Sequence, residues 1–130
     1  MRGTEQTMAI NPQFLTDDIL KKFARRDKCY QVEGVSAVQY TEGANHVAEN
    51  GEAYWLLKEI ALAQGAEKLV AAEPFQVWVL TVTVDCRATL SCFNRRANIV
   101  YRKDIEVTDF PRREITLWFA DRTIYLPSER

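Results

Sequence analysis

The spacing of hydrophobic positions differs between the two halves of the chain. Between residues 52 and 64 only four positions are polar, so a helix there would be apolar around most of its circumference. From residue 75 to residue 84 strand-favouring side chains divide between two faces with a period of two. The pattern predicts a largely buried helix in the first half of the chain and a sheet in the second.

The predicted buried helix carries two large aromatic residues, Tyr54 and Trp55, side by side. Glu52 and Glu59 fall on one line of its surface and are expected to face water, while the remaining circumference is mostly apolar. Gly65 follows, and a glycine in the left-handed conformation commonly ends a helix. We therefore expect Tyr54 and Trp55 to be buried and the helix to end at Gly65.

Weaker signals precede this helix. Residues 16–26 are predicted to form a short surface helix, with Thr16 as its cap, acidic residues in the first turn and basic residues in the last. Residues 34–40 alternate weakly and are predicted to form a short strand. Residues 44–49 are predicted to form a helical turn that Asn50-Gly51 breaks.

Strand signals dominate the second half of the chain. After the strand at 75–84, strands are predicted at 88–93, 99–107, 115–120 and 123–126, with a bulge near Lys103 and turns at 85–87, 94–98 and 121–122. The predicted fold class is α+β, with N-terminal helices packed on one face of a mostly antiparallel sheet of four to five strands. The side chains expected beneath the buried helix are Trp78, Leu80, Val82, Leu90, Cys92, Ile115, Leu117 and Phe119.

Length and composition favour one domain over residues 1–130, with residues 1–15 flexible. The chain has no segment of the length and hydrophobicity that a membrane span or a signal peptide needs, which indicates a cytoplasmic protein without a membrane partner. The net charge is −1, yet residues 1–86 hold twelve acidic and eight basic side chains, whereas residues 87–130 hold six and nine. Basic residues are therefore enriched in the part of the chain that forms the predicted sheet.

No pattern of catalytic, cofactor-binding or metal-binding residues is present, so an enzyme is not the favoured interpretation. His46 is the single histidine, and the three cysteines lack the paired spacing of a zinc site or a disulfide framework. Glycine-rich phosphate-binding spacings are absent as well. One enzymatic alternative stays open, a thiol-dependent enzyme around Cys29 with His46 as its base.

Four short segments resemble a known pattern. They lie at residues 51–57 (GEAYWLL), 75–78 (FQVW), 108–111 (TDFP) and 126–129 (LPSE). Together they resemble, over residues 40–129, a family of small uncharacterised bacterial and mobile-element proteins described as a domain of unknown function. The chain departs from that pattern at residues 26–30 and 42–44. The resemblance implies no catalytic residue, cofactor or substrate, but it implies a phage, plasmid or accessory-gene context and an interaction role.

Binding is the remaining class of function, and the arginine-bearing turns are its candidate surface. Arginine and aromatic side chains are enriched at the energetic centres of protein interfaces, and aromatic side chains also stack on nucleic-acid bases. The candidate partner-binding residues are Arg95, Arg96, Arg112, Arg113, Trp118 and Tyr125. The favoured hypothesis is a non-enzymatic protein-interaction domain with an unidentified protein partner, such as a mobile-element accessory or inhibitor protein. The alternative is a nucleic-acid-binding domain that uses the arginine-bearing turns.

Overall fold

A seven-stranded mixed sheet runs through the part of the chain that a computed structural model describes, residues 10–24 and 28–129. Its strands are β1 (Cys29–Val32), β2 (Val35–Thr41), β3 (Phe75–Val82), β4 (Ala88–Phe93), β5 (Ile99–Ile105), β6 (Glu114–Ala120) and β7 (Thr123–Tyr125). The helices of these residues are α1 (Asp17–Leu20), α2 (Glu42–Gly51), α3 (Tyr54–Ala66) and α4 (Lys68–Ala71), with short 3-10 turns at Pro12–Phe14 and Pro127–Glu129. The order across the sheet is β1-β2-β7-β6-β3-β4-β5.

The α+β class is confirmed, whereas the prediction of four to five mostly antiparallel strands understates the sheet. All described neighbours pair antiparallel except β2 and β7, where Gln39 lies opposite Thr123 in parallel register. The strand β1 is short and its register shifts between Gln31 and Val32. Strand β1 leaves no local hydrophobic pattern because it is short and irregular. The parallel pairing of β2 with β7 leaves none because the two strands are far apart in the chain.

Helix α3 covers one face of the sheet and supplies much of the core. Its residues Leu56, Leu57 and Ile60 are buried with side chains from β3, β4 and β6. Of the eight side chains predicted to lie beneath this helix, all are buried except Val82, which is half-buried. The period of two therefore grouped these side chains correctly on one face, which is the covered one, although β3 ends at Val82 and the predicted strand position Val84 is 89% exposed.

The predicted end of α3 was wrong, and so was the predicted burial of Tyr54. Gly65 lies inside the helix, which runs to Ala66, and the left-handed residue of this region is Glu52, with φ 50°. Tyr54 is 47% exposed at the first position of the helix, and Trp55 is half-buried. An apolar residue at a helix end can therefore lie beside the core rather than within it.

Helix α2 continues through Asn50-Gly51, which was predicted to break it. Gly51 is required there by packing, since a Cβ at this position would lie 2.5 Å from a ring carbon of Phe110. The prediction for α1 was correct at its start, where the Thr16 hydroxyl accepts a hydrogen bond from the N–H of Ile19. That helix ends at Leu20 without a basic last turn, and residues 25 and 26 lie outside the described residues.

A buried glutamine joins β3 to the helices above it. Gln76 is 1% exposed, and its side-chain amide forms two reciprocal hydrogen bonds with that of Gln64, at 2.8 and 2.9 Å. The same amide also donates to the carbonyl of Val70 and accepts from the indole N–H of Trp78. A polar residue is tolerated on the core face because its donors and acceptors are all satisfied.

The segment after β7 is held by a buried carboxylate, Glu129, which is 1% exposed. Its oxygens accept hydrogen bonds from the Thr41 hydroxyl at 2.6 Å, the Gly43 N–H at 3.0 Å and the Leu126 N–H at 2.9 Å. The Gly43 N–H belongs to the first turn of α2, where a negative charge is favourable. A Cβ at Gly43 would lie 2.6 Å from the carboxyl carbon, so only glycine leaves room for this contact.

None of the helices within residues 10–24 and 28–129 combines the length and apolar character that crossing a bilayer requires.

Candidate functional site

The face of the sheet opposite α3 carries a group of half-buried apolar side chains, which we call the open face. Its residues are Phe75, Val77, Val79, Phe93 and Trp118, with Ser91 and Thr116 among them. In the antiparallel register Val77 lies opposite both Trp118 and Phe93, so the large side chains are neighbours. Cross-strand aromatic and β-branched pairs of this kind stabilise a sheet and form a continuous surface.

Three of the six predicted binding residues meet in one row on this face. The Arg95 guanidinium lies 5.2 Å from the centre of the Phe75 ring, and the Phe75 and Trp118 rings are 5.2 Å apart at 74°. Trp118 in turn meets Tyr125 edge-on at 6.1 Å. We call Arg95, Phe75, Trp118 and Tyr125 the aromatic row. Phe75 was not predicted as a binding residue, although its place in the strand alternation puts it on this face.

The members of the aromatic row differ in exposure. Arg95 is exposed, while Phe75 and Trp118 are half-buried. Tyr125 is 4% exposed, so it packs beside the Trp118 ring and offers almost no contact surface of its own. The row therefore presents a cation and two aromatic rings to the surroundings, in an arrangement that its own ring contacts fix.

The turn between β4 and β5 presents Arg95 and Arg96. Asn94 organises this turn, because its side-chain oxygen accepts hydrogen bonds from the N–H groups of Arg96 at 2.9 Å and Asn98 at 3.0 Å. Ala97 follows with a left-handed backbone, φ 65°. Both arginine side chains are exposed at the end of the sheet where β3 begins.

Arg112 and Arg113 lie at the other end of the sheet. The carbonyl of Arg113 accepts from the N–H of Val82, at the end of β3, whereas Arg95 lies over Phe75 at its start. Phe75 and Val82 are seven positions apart, which corresponds to roughly 20 Å along a strand. The structure does not bring the two arginine pairs together.

Arg112 has a structural contact that the sequence did not indicate. Its guanidinium donates to the carbonyl of Leu15 at 2.7 Å and lies 3.0 Å from the Asp17 carboxylate, while its Nε donates to the carbonyl of Glu114. These bonds hold the segment around α1 against the start of β6. A partner would have to compete with them to engage this side chain.

His46 also has defined contacts within the fold. Its Nε2 lies 2.7 Å from the carbonyl of Phe14, which requires this nitrogen to donate, and its Nδ1 lies 3.4 Å from the side-chain nitrogen of Asn50. The Phe23 ring packs on the imidazole at 4.8 Å. A nucleophilic pair with Cys29, which is exposed on β1, would require one of these hydrogen bonds to break.

Among the residues that the structure describes, no group of three or more His, Cys, Asp or Glu side chains is arranged to hold a metal ion. The three cysteines differ in environment, since Cys29 and Cys86 are exposed and Cys92 is buried. Burial raises the pKa of the Cys92 thiol from an ordinary 9.0 to about 12, with a smaller contribution from the charge of Glu73. This thiol is protonated at neutral pH, and a protonated thiol is a poor nucleophile.

Comparison with known proteins supplies a family and no activity. Neither a curated protein nor a solved structure matches the chain. A family model, described as "Family of unknown function (DUF6876)", matches residues 14–130. The match includes the N-terminal segments at 26–30 and 42–44, where the sequence departed from the pattern that its four motifs suggested. Because the match covers nearly the whole chain, this protein belongs to the DUF6876 family of unknown function.

Proposed function

We propose that this chain is a protein-interaction domain that binds its partner through the open face of the sheet. The observation that carries the proposal is the aromatic row, in which Arg95, Phe75 and Trp118 are held in contact at one end of an apolar surface. Arginine and tryptophan are the side chains most enriched at interface hot spots. The ring nitrogens of His46 are engaged within the fold, which lends no support to the alternative of a Cys29–His46 nucleophilic pair.

The chemistry of the open face defines the kind of partner. Its centre is apolar, while its margins carry Arg95 and Arg96 at one end and the exposed pair Arg102 and Asp104 on β5, which lie 3.7 Å apart. An apolar centre with a polar margin is the usual composition of a protein interface. The partner is expected to present an apolar patch with a carboxylate placed to meet Arg95.

The nucleic-acid alternative loses part of its support from the same geometry. A groove for a polyanion needs basic side chains along one path, whereas here Arg112 and Arg113 lie at the far end of the sheet from Arg95. A protein partner requires only the contiguous patch that the aromatic row provides. The mobile-element context stays a prediction from the four motifs.

The test is capture of partners from the native host with the wild-type chain and with Val79→Lys. Val79 lies at the centre of the open face, between Thr116 and Ser91 on the neighbouring strands, and a charge there would disturb an apolar contact. A protein captured by wild type is expected to be lost from Val79→Lys. The matched control is Leu62→Lys on the outer side of α3, where Leu62 is 50% exposed.

The outcome depends on the comparison between the two variants. Thermal unfolding must first show that both variants fold. Capture that survives in Val79→Lys, or that both variants lose equally, would contradict the open face as the binding surface. Retention of DNA or RNA that Arg95→Ala and Arg96→Ala weaken would favour the nucleic-acid alternative instead.

A further inference from the structure

A pocket of about 350 Å³ lies between the β1–β2 hairpin and the start of α3. It is separate from the open face, because its wall residue Tyr40 lies opposite Ile124, whose neighbours Thr123 and Tyr125 point to the other side of the sheet. The described residues that line it are Val32, Glu33, Tyr40, Tyr54, Trp55, Leu57 and Lys58. Three of these seven are aromatic, and two carry opposite charges.

The aromatic walls of this pocket are held in place by contacts with each other and with side chains outside it. Tyr54 is 47% exposed, yet its hydroxyl donates to the Asn45 side-chain oxygen at 2.6 Å, which fixes the ring. The Tyr54 and Tyr40 rings meet at 6.4 Å and 68°, and Tyr30 stacks against Tyr40 at 5.5 Å. A ligand would therefore meet preformed ring surfaces, which lowers the entropy cost of binding.

Acidic side chains lie near both Tyr40 and Tyr54. Burial raises the pKa of Tyr40 first, and the neighbouring Tyr30 and the carboxylate of Glu33 raise it further. The pKa of Tyr54 is raised in the same way, by burial, then by Tyr40 and by Glu49. Tyrosines are uncharged at neutral pH, so the negative charges beside the two rings are the carboxylates of Glu33 and Glu49.

The cationic residues near the pocket have defined positions. The Lys58 ammonium lies at the hairpin turn, 3.7 Å from where a Cβ of Gly34 would stand. Lys28 places its ammonium 5.9 Å from the centre of the Tyr30 ring. The same aromatic cluster therefore already receives one ammonium group of the chain, on the ring behind Tyr40.

We propose that this pocket binds an organic cation, a methylated ammonium or a guanidinium group, between Tyr54, Tyr40 and Trp55, with Glu33 as the counter-charge. The negative faces of aromatic rings attract such cations, and each contact is strongest where water is excluded. Lys58 opposes the ligand from the hairpin side and reduces its affinity. No covalent step is involved.

The sharpest probe is a pair of molecules that share a shape and differ in charge. Choline and its neutral analogue 3,3-dimethylbutan-1-ol are titrated separately into the full chain, and the amide signals of Tyr54, Trp55 and Gly34 are followed by NMR. Choline is expected to bind with a dissociation constant on the order of 1 mM and the neutral analogue at least about fivefold more weakly. Equal binding of the two would overturn the proposal, because the site would then not discriminate a cation from its neutral analogue.

Three substitutions separate the roles of the pocket residues. Tyr54→Ala removes an exposed wall and should weaken choline binding by about tenfold, and Glu33→Gln should weaken it by about threefold. Lys58→Met should strengthen it by about threefold, because a repulsive charge is removed while the apolar stem remains. A purely structural role would not produce this opposite sign. Leu62→Ala, on the outer side of the same helix, is the matched control and should leave binding unchanged.

The cation can come from a free small molecule or from the side chain of a protein. Choline and tetramethylammonium represent the first source, and peptides that contain arginine or trimethyl-lysine represent the second. At least about tenfold tighter binding of a peptide than of choline assigns the site to a protein side chain. Similar affinities assign it to a free organic cation, and failure of both classes to bind contradicts the site. Because Val79→Lys leaves this pocket intact, its effect on partner capture tests the open face separately.

Discussion

At the scale of single residues, Cys92 shows how burial changes a titratable group. Its side chain is 0% exposed on β4, which lies between β3 and the edge strand β5, and burial raises the pKa of the thiol to about 12. In the unfolded chain the same thiol titrates near its ordinary value of 9.0. At a pH between these two pKa values, the thiol has lost its proton in the unfolded state but keeps it in the native state.

This difference predicts a loss of stability as the pH rises above the unfolded value. The free energy of unfolding of the wild type should fall between pH 9 and pH 10 by up to about 1 kcal/mol because of Cys92, and Cys92→Val should lack that part of the decrease. Urea titrations at the two pH values measure it. Cys86→Asn, at an exposed cysteine with φ 65°, is the control and should keep the wild-type pH dependence. An identical pH dependence in wild type and Cys92→Val would contradict the prediction.

Individual core residues were predictable where the hydrophobic alternation was simple. Cys92, Leu90 and Leu117 were assigned to the covered face from that alternation, and all three are buried. Gln76 could not be assigned in this way, because a polar side chain on a core face contradicts the alternation unless its partners are known. Those partners, Gln64 and Trp78, come from α3 and from the same strand.

At the scale of elements, the turn between β6 and β7 has a strained backbone and also contacts a third strand, β2. Asp121 and Arg122 both have left-handed backbones, with φ 53° and 62°. Two positive φ values in a two-residue hairpin loop indicate a type I′ turn, which favours glycine at its second position. The carbonyl of Arg122 also accepts from the N–H of Gln39, so this turn contacts β2.

Arg122→Gly is therefore expected to stabilise the protein. Removing the Cβ relieves the strain of the left-handed backbone and should raise the free energy of unfolding by about 0.5–1 kcal/mol. The hydrogen bond to Gln39 uses a backbone carbonyl and is retained. Denaturant titration measures the change, and Arg122→Ala, which keeps the Cβ, should give no gain. A glycine variant no more stable than the alanine variant would show that the turn is unstrained.

Both α2 and α3 were predicted to be helical, but their ends were predicted wrongly. The glycines near those ends explain why. Gly65 has no atom within 4 Å of a Cβ placed on it and a helical backbone, so it has no special role. Gly51 is a glycine because Phe110 packs against it, and Glu52 takes the left-handed position. Close packing and turn formation both select glycine, and the sequence does not distinguish the two reasons.

At the scale of the whole molecule, contacts between distant parts of the chain join the N-terminal elements to the sheet. The pairing of β2 with β7 and the hydrogen bonds of Glu129 link residues near 40 to residues near 125. The hydrophobic alternation indicated the α+β fold class, but it carries no information about such pairings. For the same reason Arg95 and Trp118 could be named as candidates, whereas their contact through Phe75 could not.

Glu129→Ala should strongly destabilise the whole fold. The substitution leaves the Thr41 hydroxyl and the N–H groups of Gly43 and Leu126 without their acceptor, and the free energy of unfolding should fall by about 3 kcal/mol or more. Glu129→Gln retains one acceptor oxygen and should lose less. Glu106→Ala removes an exposed carboxylate and is the control, with a change within about 0.5 kcal/mol. Similar losses in Glu129→Ala and Glu106→Ala would contradict this structural role.

The close approach of Gly43 to Glu129 also constrains how the sequence can diverge. A side chain at position 43 would occupy the space of the carboxyl group, because a Cβ there lies 2.6 Å from it. A larger residue at position 43 becomes acceptable only after position 129 has become smaller, and a restored glutamate requires glycine again. We therefore expect a side chain at position 43 to be tolerated better together with a smaller residue at position 129, although 86 positions separate the two sites.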